Sequence, residues 1–126
     1  MIKLVDFLKD LPKNRLVHTD NWNILHVDQL NDIGFKQSGQ YKMDMDKPRL
    51  TVVYIKDQGF VLIDIKKREA QPFKNFNALS EYLMDYKQDW ESAPYTQAAG
   101  DEKKWNETKL HHIYTAKKRI PIWINA

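Results

Sequence analysis

The sequence predicts an α+β fold, in which a central antiparallel sheet carries one long helix and a short N-terminal helix. Apolar and polar residues alternate from Phe35 to Met45, and two continuous apolar segments follow within residues 49–67, a pattern typical of strands. Between residues 76 and 90 the apolar residues recur at spacings of three and four, which is typical of a helix packed on a sheet. At 126 residues, the chain is expected to form a single domain, 1–126.

The N-terminal segment is predicted to form a short amphipathic helix that Pro12 ends. The apolar face of this helix would consist of Leu4, Val5, Leu8 and Leu11. Further along, Asp28 is expected to cap a brief second helix that Gly34 ends in a left-handed conformation.

A three-stranded antiparallel meander is predicted at about residues 35–67. Its first strand begins at Phe35, and "DKPR" turns the chain into the second. The segments "RLTVVYI" and "FVLIDIK" form the other two strands, and the short connection between them contains Gly59, which can adopt a positive φ. Both of these strands are apolar on both faces, so we expect them in the middle of a covered sheet.

A long helix is predicted at about residues 76–90. Its apolar face would consist of Phe76, Leu79, Tyr82, Leu83, Tyr86 and Trp90. Residues 91–104 contain Pro94 and Gly100 and are expected to form a flexible loop. The alternation in "IPIWINA" predicts a C-terminal strand or hairpin at the sheet edge, whereas residues 105–116 fit a helix or a strand equally well.

The composition excludes several kinds of chemistry. The chain has no cysteine, so disulfides, thiolate nucleophiles, iron–sulfur clusters and cysteine-ligated zinc are ruled out. No glycine-rich nucleotide-binding motif and no serine-hydrolase motif occurs, and no cofactor is expected. No stretch reaches the roughly 18 apolar residues of a membrane helix, and Asp6 and Asp10 interrupt the N-terminal segment. A cytoplasmic protein without membrane contact is therefore expected.

Positive charge is concentrated in the C-terminal quarter of the chain. Residues 1–100 contain fourteen basic and fourteen acidic residues, while residues 101–126 contain six basic and three acidic ones. The whole net charge of +3 therefore lies in that last segment. The chain has three basic clusters: Lys66-Lys67-Arg68, Lys103-Lys104 and Lys117-Lys118-Arg119. The first and the third are candidates for phosphate contacts with DNA or RNA. The alternative is that both clusters are simply solvated turns.

The adjacent histidines His111 and His112 do not predict a metal site. Neighbouring side chains point to opposite faces of a strand, or diverge by about 100° on a helix, so the two rings cannot easily share one ion. No metal-binding spacing surrounds them. We expect one histidine to be buried with a hydrogen bond and the other to be exposed.

The triplet Asp64-Ile65-Lys66 resembles the second half of the motif of PD-(D/E)xK nucleases, and the resemblance covers residues 49–67. It implies that Asp64 binds Mg²⁺ and that Lys66 stabilises the attacking water. The position of the first acid in that motif is occupied by Thr51. Asp44 and Asp46 on the neighbouring strand would have to supply the missing ligands. The alternative is an ion pair at the end of a strand.

On the predicted long helix, Glu81, Asp85 and Asp89 are spaced at i, i+4 and i+8 and would form one acidic stripe. This stripe is a candidate docking surface for a basic protein, and the alternative is an ordinary solvated face.

The sequence therefore predicts a small non-enzymatic interaction module that binds a macromolecular partner. A protein partner is favoured, nucleic acid is the first alternative, and a metal-dependent nuclease is the second. The abundance of Lys, Asn, Ile, Asp and Tyr indicates AT-rich codons and suits an accessory protein of a phage or mobile element, such as an inhibitor of a host nucleic-acid-targeting defence system. The sequence does not define the oligomeric state.

Overall fold

The structure is a computed structural model that describes residues 1–20, 22–33, 50–87 and 100–120. A six-stranded antiparallel sheet has the order β1-β6-β5-β4-β2-β3. Its strands are β1 (Ile2–Lys3), β2 (Leu16–Thr19), β3 (Ile24–His26), β4 (Leu50–Ile55), β5 (Gly59–Asp64) and β6 (Glu69–Phe73). The helices are α1 (Leu4–Leu8), a 3₁₀ helix (Val27–Asp32), α2 (Phe76–Asp85) and α3 (Glu102–Arg119). The predicted α+β fold is confirmed.

The hairpin of β4 and β5 forms the middle of the sheet, as predicted. These strands pair in register from Leu50 opposite Asp64 to Ile55 opposite Gly59. Gly59 has a φ of 103°, and a Cβ atom there would lie 2.4 Å from the carbonyl oxygen of Phe73. A side chain at this position would therefore collide with the neighbouring strand as well as strain the turn.

Alternate residues of these two strands face two separate hydrophobic cores. Leu50, Val52, Phe60 and Leu62 pack beneath α2 and α3. Val53, Ile55, Val61 and Ile63 pack on the other side, against α1 and the 3₁₀ helix. All eight are 2% exposed or less, so burial on both faces explains why the strands are apolar without alternation.

The N-terminal helix is shorter than predicted, and its apolar face is narrower. Leu4 and Leu8 are buried, whereas Val5 is 60% exposed. The second short helix is a 3₁₀ helix capped by His26, not by Asp28. The backbone N–H of His26 donates to Oε1 of Gln29 at 2.7 Å, as part of a capping box.

Helix α2 begins where the sequence predicted and ends earlier. The side chain of Asn75 caps it by accepting a hydrogen bond from the N–H of Ala78 at 2.8 Å. The helix ends at Asp85, because Tyr86 adopts an extended ψ of 114°. The prediction that the helix reaches residue 90 was therefore wrong, and residues 88–90 lie outside the described residues.

The C-terminal region differs most from the prediction. Helix α3 has 18 residues and begins at Glu102, inside the predicted loop 91–104. It includes residues 105–116, for which the sequence left helix and strand open. The side chain of Asp101 caps this helix by accepting from the N–H of Lys104 at 3.2 Å. Lys117, Lys118 and Arg119 form its last turn, not a turn between strands. Several predicted features lie outside the described residues. They are residues 91–99 of the loop, Gly34, the strand from Phe35, and residues 121–126 of the C-terminal strand.

Candidate functional site

Asp64 and Lys66 do not share one face of a strand. β5 ends at Asp64, and Lys66 is exposed on the turn that follows. Asp64 is fully buried; its Oδ1 accepts from the N–H of Lys67 at 2.9 Å and its Oδ2 from the hydroxyl of Tyr86 at 3.3 Å. Both carboxylate oxygens therefore hold the turn and the end of α2 in place. The side-by-side arrangement implied by the nuclease resemblance is not formed.

Of the other residues of the nuclease hypothesis, the structure describes only Thr51. Asp44 and Asp46 lie outside the described residues. The hydroxyl of Thr51 donates to Oδ1 of Asp20 at 3.2 Å, so this residue helps to hold a neighbouring strand end. Within the described ranges, no group of three or more His, Asp or Glu side chains could hold a metal ion.

We expect Asp64→Asn to lower the free energy of unfolding by about 1–2 kcal/mol, because a buried charged acceptor becomes a neutral amide. Urea denaturation followed by circular dichroism measures this loss. Lys66→Ala is the matched control, and as an exposed turn substitution it should change stability by no more than about 0.5 kcal/mol. Equal stabilities of the two variants would contradict the structural role of Asp64.

The two adjacent histidines diverge on α3, as expected. His111 is exposed, whereas His112 is only 3% exposed. The buried ring differs from the expectation in one respect, because its Nε2 atom has no hydrogen-bond partner among the described residues. Burial, assisted by the neighbouring charge of His111, lowers the pKa of His112 to about 4. His112 is therefore a neutral core residue at physiological pH.

The structure describes two of the three residues of the predicted acidic stripe. Glu81 and Asp85 are exposed on α2, but the helix ends at Asp85 and does not reach Asp89, which lies outside the described residues. The charge of Asp85 also favours the protonated form of Lys109, although burial lowers the pKa of that lysine overall. Two exposed carboxylates remain, one of them close to a cation.

Lys109 joins α3 to the end of α2. This lysine is only 5% exposed, and its ammonium donates to the carbonyl oxygens of Met84 at 3.0 Å and Tyr86 at 3.1 Å. It also lies 5.8 Å from the centre of the Trp105 ring. A cleft of about 410 Å³ opens beside these groups. Because the ammonium is committed to two backbone carbonyls, we assign Lys109 a structural role.

The first basic cluster is reduced to two available charges. Lys66 and Lys67 are exposed on the turn between β5 and β6. Arg68, in contrast, donates through its guanidinium to the carbonyl oxygens of Asn31 and Ile33 at the end of the 3₁₀ helix. Burial lowers the pKa of Arg68, against an opposing effect of Asp32. Arg68 therefore secures the 3₁₀ helix and is withdrawn from the predicted phosphate-binding set.

Arg119 of the third basic cluster contacts a tryptophan that was not among the predicted site residues. Lys117 and Lys118 are exposed on α3, while Arg119 is half-buried. The Arg119 guanidinium lies 4.9 Å from the centre of the Trp22 ring and donates to the carbonyl oxygen of Asp20 at 3.4 Å. Trp22 is 71% exposed at the tip of the β2–β3 hairpin. Its only signal in the sequence is a large aromatic residue among the turn-forming residues of "DNWN".

The sheet brings the first and the third basic clusters to the same end. Val53 pairs with Thr19 at the end of β2, and Leu50 pairs with Asp64 at the end of β5. The β2–β3 tip and the β5–β6 turn therefore project from one end of the sheet. About three strand spacings separate them, which corresponds to roughly 14 Å.

A further surface lies on the outward face of α3. At about 100° per residue, Lys103, Leu110, Tyr114 and Lys117 lie within a narrow arc, opposite the buried Trp105. Leu110 is 55% exposed and Tyr114 is 60% exposed. We call these four residues the α3 outward face. It was not predicted, because the sequence left helix and strand open for residues 105–116.

Comparisons with protein-family models, curated proteins and solved structures find no match to this chain. Over the described ranges, no helix has the length and apolar character needed to cross a membrane.

Proposed function

We propose that this protein is a non-enzymatic interaction module that binds a protein partner through the α3 outward face. One observation carries the proposal. Leu110 and Tyr114, which are more than half exposed, lie next to each other on the helix surface between Lys103 and Lys117. Apolar side chains adjacent on a surface and bordered by charges are typical of a binding interface.

The composition of this face favours an acidic protein as the occupant. Lys103 and Lys117 lie seven residues before and after Leu110, about two helical turns away in each direction. The Nζ atom of Lys118 lies 5.7 Å from the centre of the Tyr114 ring. Glu107 is the acidic residue nearest to this arc. A partner with carboxylates around an apolar pocket would therefore match it in charge and in hydrophobicity. The aliphatic Leu110 favours protein over nucleic acid, because leucine gains little from a phosphate or a base edge.

The structural role of Asp64, the candidate catalytic residue, supports the non-enzymatic part of the proposal. Asp64 is buried and occupied by two protein donors. The lysine-rich, AT-biased composition supports an accessory role in a phage or mobile element, for which inhibition of a host nucleic-acid-targeting defence protein is our proposed example.

Site-specific photo-crosslinking tests the proposed surface. A photoreactive phenylalanine derivative is placed at Leu110, at Tyr114 and, as a control, at Glu81 on α2. The three proteins are irradiated in a lysate of the source cells, and crosslinked proteins are identified by mass spectrometry. We expect one acidic protein to crosslink from both α3 positions and not from Glu81. Crosslinking from Glu81 alone would favour the acidic stripe as the binding surface. The absence of a specific product from both α3 positions would overturn the proposal.

The protein identified by crosslinking is then purified separately, without the crosslink, for binding measurements. The double substitution Lys103→Gln/Lys117→Gln should weaken the complex and reduce its dependence on salt, because it removes charges at the rim of the interface. Glu81→Gln/Asp85→Asn is the matched control and should leave the Kd unchanged. Weakening by the control variant alone would transfer the interface to α2.

A further inference from the structure

The tip of the β2–β3 hairpin presents a tryptophan to solvent. Trp22 has the highest exposed fraction, 71%, among the large apolar side chains of the described residues. Its φ is 70°, a left-handed conformation that is costly for a bulky residue and easily adopted by Gly or Asn. The turn is held by Thr19, whose N–H and hydroxyl both donate to the carbonyl oxygen of Asn23, at 3.0 and 2.9 Å. An exposed tryptophan in a strained position points to a function.

The base of this tip is fixed from two sides. The carboxylate of Asp20 accepts hydrogen bonds from the hydroxyl of Thr51 and from the N–H of Val52, both at 3.2 Å. Its charge is therefore directed into the protein. On the other side, the guanidinium of Arg119, in the last turn of α3, lies 4.9 Å from the centre of the Trp22 ring. The aromatic ring is thus held in place before any ligand binds.

Besides Arg119, four exposed lysines lie at this end of the sheet or on the last turn of α3. Lys117 and Lys118 are exposed in the same helical turn as Arg119. Lys66 and Lys67 are exposed on the β5–β6 turn at the same end of the sheet, roughly 14 Å away by strand spacing. That separation is on the order of two to three nucleotides of an extended single strand.

We infer that this end of the sheet binds single-stranded nucleic acid, with an unpaired base stacked on Trp22 beside Arg119 and with phosphates near the four lysines. Flat aromatic rings combined with cations are the groups that bind single strands without sequence preference. A duplex conceals the faces of its bases, so the exposed ring gives the single strand an advantage over the double strand. This activity goes beyond the proposed protein binding and uses different residues, apart from Lys117.

Fluorescence anisotropy with a labelled oligo(dT) of about twelve nucleotides tests the inference, with a duplex of the same length for comparison. The principal variant is Trp22→Asn, because Asn tolerates the left-handed conformation and the hairpin should remain folded. Circular dichroism spectra and urea midpoints check the fold of each variant. Lys74→Gln, at the opposite end of the sheet, is the matched control for loss of an exposed lysine.

We expect the oligo(dT) to bind more tightly than the duplex, and Trp22→Asn to weaken its binding roughly tenfold. Lys117→Gln/Lys118→Gln should reduce the slope of log Kd against log salt by roughly 1.4, while Lys74→Gln should leave the affinity unchanged.

No binding of oligo(dT) at about 50 mM salt, or equal binding by wild type and Trp22→Asn, would overturn the inference. If Trp22→Asn instead weakened only the complex with the crosslinked protein, the tip would belong to the protein interface and the inference would also fail. The α3 proposal would survive either result, because it depends on Leu110 and Tyr114.

Discussion

Replacement of Lys109 by Ala is expected to lower the free energy of unfolding by about 2–4 kcal/mol. The substitution removes the ammonium that donates to the carbonyl oxygens of Met84 and Tyr86 and leaves these acceptors without that donor at the end of α2. It also removes the aliphatic stem that is buried beside Trp105. The cost of burying the amine, seen in its lowered pKa, offsets part of this gain and limits the loss.

Urea denaturation of the wild type and two further variants separates these contributions. Lys109→Met keeps the stem without the donor, so it should lose less than Lys109→Ala, about 1–2 kcal/mol. Lys104→Ala on the exposed side of α3 is the control, with an expected change within about 0.5 kcal/mol. A fully stable Lys109→Ala protein would show that α3 is not joined to α2 by this lysine.

The stability of the protein is expected to fall between about pH 6.5 and pH 4 because of His112. The folded protein holds the pKa of this residue at about 4, below its ordinary value of 6.5. As the pH falls, the unfolded chain takes up the proton first, so the contribution is complete above about pH 6.5 and is lost on the way to pH 4. The difference in pKa corresponds to about 3 kcal/mol as an order of magnitude.

Urea denaturation across this pH range measures the effect, with the difference between wild type and variant used to remove the contribution of the carboxylates. His112→Leu should abolish the His112 part of the slope, whatever its effect on stability at neutral pH. His111→Gln, which replaces the exposed neighbour, should retain most of the slope. An unchanged slope in His112→Leu would mean that this histidine titrates normally in the folded protein.

The parts of the fold that the sequence predicted are those with a clear hydrophobic period. The β4–β5 hairpin and the start of α2 are marked by continuous apolar strands, a glycine with positive φ, and the capping residue Asn75. The strand β6 was not predicted because it contains Pro72, and proline is unusual inside a sheet. In the structure, Pro72 lies opposite Val61 of β5, whereas only Glu69 and Ala70 of β6 pair with β1.

The sequence did not decide between helix and strand for residues 105–116, because polar residues occupy positions in the buried stripe of α3. That stripe consists of Trp105, Lys109, His112 and Ala116, at spacings of four and three, and it continues to Ile120. A lysine and a histidine in a core obscure the apolar period, and each depends on a long-range environment that the sequence does not reveal. The capping residue Asp101 and the basic last turn were signals of this helix in the sequence.

The candidate surfaces were equally dependent on long-range contacts. Lys117 to Arg119 were identified as a basic cluster, but their proximity to Trp22 requires residues 97 positions apart, 119 and 22, to meet. Arg68 was identified by charge alone, and its engagement by the carbonyls of Asn31 and Ile33 could not be inferred from composition.

The most direct test is to measure the Kd of two complexes of the purified partner, which crosslinking has identified. One complex contains the wild-type protein and the other contains the Leu110→Gln/Tyr114→Gln variant. Glutamine preserves helix propensity, so α3 should remain folded while the apolar part of its outward face is lost. We predict that this double variant binds at least roughly tenfold more weakly, with unchanged stability in urea. Equal affinity of the two proteins would contradict the assignment of the α3 outward face as the binding surface.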